Sequence, residues 1–141
     1  MRATKEMVCM MDEFSDRFQI CRICNRYPVE SAWNPPTDIF DMGDYIHINI
    51  EMAGINPKDV SVTLNRNILT VKGARVEDES AKMRVLQMEI LYGYFERQLI
   101  LPSSVDPNRA SAYYQRGILE INLPKSDADP KSLSTIMIVI V

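Results

Sequence analysis

Apolar and polar residues alternate along much of the chain, beginning near residue 45. In residues 46–52 every second position is apolar, which sets Ile46, Ile48, Ile50 and Met52 against His47, Asn49 and Glu51. The alternation returns in Val60, Val62 and Leu64 and continues after a turn at residues 65–67. A period of two predicts strands with one buried face, and the two strands around this turn form a predicted hairpin.

The same period marks the second half of the chain. Phe95, Leu99 and Leu101 are spaced for one face of a strand that Pro102 ends. A last predicted hairpin turns at Gly117, and apolar residues alternate in its second strand: Leu119, Ile121 and Leu123. Seven or so short strands, separated by turns rich in Gly, Pro and Asn, predict an all-β fold, an antiparallel β-sandwich of the immunoglobulin-like type.

Residues 1–33 follow a different period. Apolar side chains lie three and four positions apart with charged residues between them: Met7, Met10, Met11, Phe14 and Phe18. This spacing predicts a short amphipathic helix, which the prolines after Trp33 would end. Met is flexible and polarizable, so this apolar stripe suits irregular partners; a helix packed on its own domain is the alternative that the pattern leaves open.

The chain closes with an apolar run, TIMIVIV at residues 135–141, after a polar linker. The run is too short to span a bilayer, because a transmembrane helix needs roughly 20 apolar residues. In a strand, Ile136, Ile138 and Ile140 would project to one side. We expect this run to be buried against protein, in its own subunit or in another.

Composition and charge narrow the function classes. The 141 residues fit one domain with flanking arms, 46% of them are hydrophobic, and the formal net charge is −3. Because Lys and Arg form no cluster, we expect no nucleic-acid partner. The N-terminus lacks a signal-peptide pattern, so we expect a cytoplasmic protein with reduced cysteines and no stable membrane insertion.

One motif could carry redox or metal chemistry, the pair Cys21 and Cys24. A thioredoxin-type pair lies at the start of a helix after a strand, and that context is missing here. A zinc site usually needs four ligands, and only Cys9 and His47 remain to complete one. With no further His to activate a nucleophile and no Gly-rich phosphate motif, we expect neither an enzyme nor a bound cofactor or metal.

Residues 36–125 resemble the α-crystallin domain of small heat-shock proteins of the bacterial and plant type. Four pieces carry the resemblance in the family's order: TDIFDMGDYIHINIEMAGINPKDVSV, LNRNILTVKGAR, YGYFERQLILPSSVD and ASAYYQRGILEINLPK. The last is the most specific, and its signature positions are Ala110, Gly117, Ile118, Leu119, Leu123, Pro124 and Lys125. The resemblance implies an N-terminal arm at 1–35, an α-crystallin domain at 36–125 and a C-terminal extension at 126–141.

Two turns depart from the family's pattern. The usual Pro-Gly and Asn-Gly pairs are Ala53-Gly54 and Arg116-Gly117 in this chain. Both keep the Gly, so we expect a positive φ at Gly54 and at Gly117.

The resemblance implies an ATP-independent chaperone of the stress response, which binds partly unfolded client proteins through its arm and keeps them from aggregating. Its subunits would pair as dimers and assemble into larger homo-oligomers. The dimer would form by exchange of a strand near residues 83–90, with Met83, Val85, Leu86, Met88 and Arg97 at the interface and Arg97 paired with acids across it. Residues 83–90 lack a clean inward face, as expected of a strand that completes another subunit's edge; a local strand is the alternative.

In this family the C-terminal extension carries a hook, two apolar residues two apart that fill a groove between edge strands of a neighbouring subunit. The resemblance makes Ile136 and Ile138 the hook, with Ile140 extending the same face. The groove would lie between residues 59–65 and 109–115, and its lining would consist of Val60, Val62, Leu64, Ala110 and Ala112.

Two other functions stay open. A binding module of the co-chaperone sandwich type would share the fold and act on one dedicated protein partner, but it lacks an exchanged strand and a hook. A thiol-based redox or zinc protein would use Cys9, Cys21 and Cys24.

Overall fold

A computed structural model describes residues 33–77, 84–127 and 135–141. Within these ranges the chain forms eight β-strands and two short 3-10 turns, at Pro57–Asp59 and Pro107–Arg109. The strands are β1 (Thr37–Asp41), β2 (Tyr45–Glu51), β3 (Val60–Asn65), β4 (Ile68–Arg75), β5 (Gly93–Ile100), β6 (Ser111–Gln115), β7 (Ile118–Pro124) and β8 (Ile136–Ile138). The predicted N-terminal helix and the three cysteines lie outside the described residues.

The strands form two antiparallel sheets of four. One sheet has the order β1-β2-β7-β6, and the other has the order β5-β4-β3-β8. Both predicted hairpins are present, since β3 pairs with β4 and β6 pairs with β7. The prediction of an antiparallel β-sandwich is therefore confirmed.

The core lies between the two sheets and follows the alternation in the sequence. Ile46, Ile48 and Ile50 of β2 are fully buried, as are the three apolar residues of β7 that the pattern selected, Leu119, Ile121 and Leu123. The opposite sheet contributes buried residues from three strands: Val62, Leu64, Leu69, Val71, Phe95 and Leu99. Removal of this apolar surface from water is the main stabilising contribution to the fold.

The β2–β3 connection and the β6–β7 hairpin use the positive φ expected of their glycines. Gly54 has a φ of +75° and Gly117 a φ of +80°, and Arg116 before Gly117 also lies in the left-handed region at +53°. Two consecutive positive φ values are the geometry of the tight turn whose twist matches the flanking strands. Gly117 is therefore required for the close β6–β7 hairpin.

The start of the sandwich extends beyond the predicted strands. β1 precedes the first strand that the alternation indicates, and it pairs along its whole length with β2. Trp33 and Pro35 are buried in the core although both precede residue 36. The domain boundaries at residues 35 and 125 stay a prediction.

Candidate interaction surfaces

The C-terminal run, residues 135–141, lies as a strand on the edge of the sandwich. β8 pairs antiparallel with β3, with Ile138 opposite Val62 and Ile136 opposite Leu64. The Asn65 Nδ2 amide donates a hydrogen bond to the Thr135 Oγ1 at 3.2 Å, beside the start of this strand. We call residues 135–141 the tail. It extends the second sheet by one strand.

Beyond Ile138 the tail leaves β3 and reaches the edge of the other sheet. Ile140 forms a parallel bridge with Ala112 in β6. The Val141 N–H donates to the Ala112 carbonyl at 2.9 Å, and the Tyr114 N–H donates to the Val141 carbonyl at 3.4 Å. The tail therefore satisfies backbone groups on β3 and β6, the edge strands of two different sheets.

The two faces of the tail are in different environments. Ile138 is only 6% exposed and packs in the core, and Ile140 packs against the same core. Met137 and Val139, on the opposite face, are 69% and 73% exposed. The prediction that the isoleucines of the tail project to one side is confirmed for Ile138 and Ile140.

Three of the five predicted groove residues lie opposite the tail, namely Val62, Leu64 and Ala112. The other two, Val60 and Ala110, are partly buried and pack against the core without a register partner in the tail. The groove that holds the tail belongs to the same chain. The hook and groove roles, and docking on a neighbouring subunit, stay predictions.

The predicted dimer segment is exposed. Residues 84–92 form no strand, so the local strand named as an alternative is absent. Leu86 is 88% exposed, and its apolar neighbours on either side are also exposed: Val85, Met88, Ile90 and Leu91. Met83 lies outside the described residues. Residues 84–90 of the predicted interface and the adjoining Leu91, which together we call segment 84–91, thus form an apolar surface that pairs with no described strand.

Arg97 lies in β5, the outer strand of the second sheet. Strand alternation places it on the face of Phe95 and Leu99, which point into the core, and its side chain is half-buried. Among the described residues no carboxylate forms an ion pair with the Arg97 guanidinium. Its proposed pairing with acids of a second subunit is compatible with this environment and is not tested by it.

The first sheet ends in an open edge at β1. On its other side β1 has no partner among the described strands, so its outward backbone groups can accept another strand. Ile39, Phe40 and Met42 are exposed along this edge. An open edge with apolar side chains is a site for addition of a strand from another chain.

Arg75 joins three segments at one end of the sandwich, a role that the sequence analysis missed. Its Nε donates to the Leu91 carbonyl at 2.8 Å, and its Nη1 donates to the Ala53 carbonyl at 3.0 Å. The guanidinium also stacks on Trp33, with Cζ 3.9 Å from the ring centroid. A cation over an indole face is attracted by the ring quadrupole, so Arg75 is fixed by charge as well as by hydrogen bonds.

Trp33 is fixed in turn. Its indole N–H donates to the Gly93 carbonyl at 3.0 Å, and its ring meets Phe95 edge to face with centroids 5.3 Å apart. Trp33, Arg75, Gly93 and Phe95 form what we call the corner cluster. The corner cluster lies where segment 84–91 enters β5.

His47, the one candidate zinc ligand that the structure describes, is already hydrogen-bonded. Its Nδ1 lies 2.6 Å from the Asn122 Oδ1, while the Asn122 Nδ2 donates to the Tyr113 hydroxyl at 2.9 Å. With the Asn122 amide in this orientation, its oxygen can only accept, so the hydrogen bond corresponds to the tautomer that carries a proton on Nδ1. Within the described ranges, no three His, Cys, Asp or Glu side chains are grouped so that they could hold a metal ion.

The Asp41 carboxylate anchors the end of β7 to the end of β1. The Lys125 ammonium donates to Asp41 Oδ1 at 2.8 Å, and the Gly43 N–H donates to the same oxygen at 2.9 Å. These contacts lower the pKa of Asp41 below its ordinary value, chiefly through the Lys125 hydrogen bond and next through Gly43.

The described residues include no helix that is long and apolar enough to cross a membrane.

Comparisons with known proteins identify the domain. The model of the Hsp20/alpha crystallin family matches residues 38–140. Small heat shock protein C2 of Rickettsia felis is 34% identical over 94 residues, which cover 66% of this chain and 61% of that protein. The chain therefore spans about three fifths of the length of this curated relative.

Solved structures share the fold. Heat shock protein 16.0 from Schizosaccharomyces pombe gives a TM-score of 0.64 at 26% identity, covering 72% of this chain and 94% of that chain. A small heat-shock protein from Xylella fastidiosa, whose structure is described as a distinct high order structure, gives 0.63 at 29% identity, covering 74% and 97%. With the family match over most of its length and the two-sheet sandwich in common, the chain belongs to the Hsp20/alpha crystallin family of small heat-shock proteins.

Proposed function

We propose that this protein is an ATP-independent chaperone of the cytoplasm that binds partly unfolded proteins and prevents their aggregation. The observation that carries the proposal is the exposed apolar surface of segment 84–91 on a sandwich that also has an open β1 edge. Large exposed apolar patches on a folded domain mark sites of protein interaction. Family membership supports the same class of function.

The first step of assembly is a dimer. Segment 84–91 of one subunit adds as a strand to β1 of a second subunit and covers the apolar side chains Ile39 and Phe40. The β5 edge is a poorer acceptor, because polar residues follow one another there in Glu96, Arg97 and Gln98. Fully burying one large apolar side chain contributes about 1.5 to 3 kcal/mol, so several together can hold a dimer.

Larger assemblies form when tails exchange between subunits. The groove between β3 and β6 accepts a tail whichever subunit supplies it, since the contacts are backbone hydrogen bonds and small apolar pockets. Each docked tail is weakly held by itself, and joining subunits as dimers makes several tails act together. A released tail leaves the apolar groove open for a client.

Thermal aggregation of a heat-labile enzyme tests the proposal. Turbidity is followed without ATP, with this protein added at near-stoichiometric ratio and with an equal mass of an unrelated stable protein as the control. We expect this protein to suppress turbidity and the control to leave it unchanged. Equal turbidity in both samples would contradict the proposed function.

A further inference from the structure

Segment 84–91 leaves the sandwich at a sharp corner. Gly93 has a φ of +111°, which L side chains rarely adopt, and it is the first residue of β5. Two residues earlier, the Leu91 carbonyl accepts its hydrogen bond from the Arg75 side chain. The chain therefore turns away from the line of β5 at residues 91–93.

The corner cluster holds both sides of this turn. Trp33 binds the Gly93 carbonyl, Arg75 binds the Leu91 carbonyl, and the two side chains stack on each other. Arg75 is itself aligned by its backbone pairing with Gly93 and by its second hydrogen bond, to Ala53 in the β2–β3 turn. One guanidinium thus ties the base of a segment that pairs with no described strand to two fixed parts of the sandwich.

We propose that Arg75 is a positioning residue for dimer formation, which it promotes by fixing the direction in which segment 84–91 leaves its own subunit. The inference rests on the proposed exchange of this segment onto β1 of a second copy. A segment that already points outward loses less conformational freedom when it docks, and such preorganisation tightens binding without any new contact.

The geometry of arginine is required for this role. Its planar fork supplies two donors in fixed directions while one face stacks on an aromatic ring. A lysine at the same position keeps the charge, but its ammonium cannot reach both carbonyls and also present a flat face to Trp33. Arg75→Lys is therefore a mild test of geometry, and Arg75→Met removes the donors as well.

The experiment uses the full chain and sedimentation velocity over a dilution series, which gives the concentration at which monomer appears. We expect Arg75→Met to raise that concentration about tenfold, equivalent to about 1.4 kcal/mol of dimer affinity, and Arg75→Lys to raise it by a smaller factor. Trp33→Phe, which deletes the indole donor and keeps a ring, is expected to behave like Arg75→Lys.

Two controls separate positioning from general stability. Leu123→Val lowers the denaturation midpoint from a fully buried site, and we expect its monomer onset to match the wild type. Leu123 pairs with Ile46 at one end of β7, whereas Gly117, before the other end, packs against Ala53, whose carbonyl Arg75 binds. Because the chain has a single Trp, quenching of Trp33 fluorescence by acrylamide reports directly on the corner cluster in every variant except Trp33→Phe. The proposal is supported if, in the Arg75 variants, acrylamide quenches Trp33 more strongly and monomer appears at a higher protein concentration than in the wild type.

A further variant distinguishes failure of the positioning role from failure of the proposed dimer. Leu86→Ser combined with Ile90→Ser tests the dimer segment in the same series. If this double variant dissociates while both Arg75 variants keep the wild-type onset, or shift it no more than Leu123→Val does, the positioning role is overturned. The dimer segment then stands. If the double variant also keeps the wild-type onset, the proposed dimer itself is wrong.

Discussion

The tail and segment 84–91 are both rich in apolar residues, but the tail is partly buried and segment 84–91 is exposed to solvent. The tail buries Ile138 in the core and bonds to two strands, whereas segment 84–91 leaves Leu86 almost fully exposed and pairs with no described strand. Apolar content alone therefore does not decide burial. A run of apolar residues is buried when its alternation matches an open strand edge that it can reach, as the isoleucines of the tail match the β3 edge.

The two regions therefore differ in whether they cover a strand edge of the described fold. The tail satisfies the open edges of β3 and β6 within the described fold and so protects them. Segment 84–91 pairs with no edge strand among the described residues, and its apolar side chains are exposed. The structure therefore contains one apolar segment that is covered and one that is exposed.

Segment 84–91 should show the largest effect. Changing Leu86 and Ile90 together to Ser removes apolar surface from exposed positions, so the free energy of unfolding should change by less than about 0.5 kcal/mol per site. The dimer should be lost, as measured by sedimentation velocity. Changing the polar neighbours Gln87 and Glu89 together to Ser is the matched control and should leave the mass unchanged.

Ile138→Ser should have the next largest effect and Met137→Ser should have little. Ile138 is buried against β3 while Met137 faces solvent, so the first change removes about 1.5 to 3 kcal/mol of burial and favours release of the tail by about tenfold or more. Light scattering should show a smaller assembly that is also more soluble. An unchanged mass for Ile138→Ser would contradict exchange of the tail between subunits.

Ile140→Ser should be milder than Ile138→Ser and more severe than Val139→Ser. Ile140 is half-buried at the bridge to Ala112, so about 1 kcal/mol is the expected loss in docking of the last residues. Amide exchange at Val141, which donates to the Ala112 carbonyl, should accelerate selectively. If exchange at Met137 accelerated equally, the β3 and β6 contacts of the tail would not be separate anchors.

The smallest effect concerns the contact between Asp41 and Lys125 at the end of β7. Because the folded-state pKa of Asp41 lies below its ordinary value of 3.8, its contact with Lys125 stabilises the fold above that pH and the contribution disappears as the pH falls through the lowered value. Asp41→Asn should therefore lower the unfolding midpoint slightly at pH 7 and not at pH 2. The side chain is exposed, so the difference is small.

Sequence alternation was sufficient for the central strands and for β5, and it missed β1 at the edge of the first sheet. β2 and β7 have one apolar face each, which a period of two reveals directly. The alternation did not predict β1, because Ile39 and Phe40 are adjacent in sequence and both are exposed on this edge strand. The burial of an edge strand depends on the segment that covers it, and the sequence of the edge strand itself does not contain that information.

The corner cluster escaped for a related reason. Its hydrogen bond from Trp33 to Gly93 joins residues 60 positions apart, and no spacing rule connects an arginine to carbonyls in two distant turns. The sequence analysis did select the residues of the groove that oppose the tail, through the resemblance to known family members. The resemblance placed the tail in the groove of a neighbouring subunit, whereas the described tail lies in the groove of its own chain. The polar linker before residue 135 carries no pattern that decides between the two.

Hydrogen exchange on the assembled full chain tests the contrast between the two regions most directly. At high protein concentration, we expect the amides of segment 84–91 to be protected, and dilution to monomer should abolish this protection while the amides of β2 and β7 stay protected. The amides of residues 137–141 should be protected at both concentrations, since a tail can return to its own groove. Rapid exchange of segment 84–91 at every concentration would show that no second subunit covers it and would contradict the account.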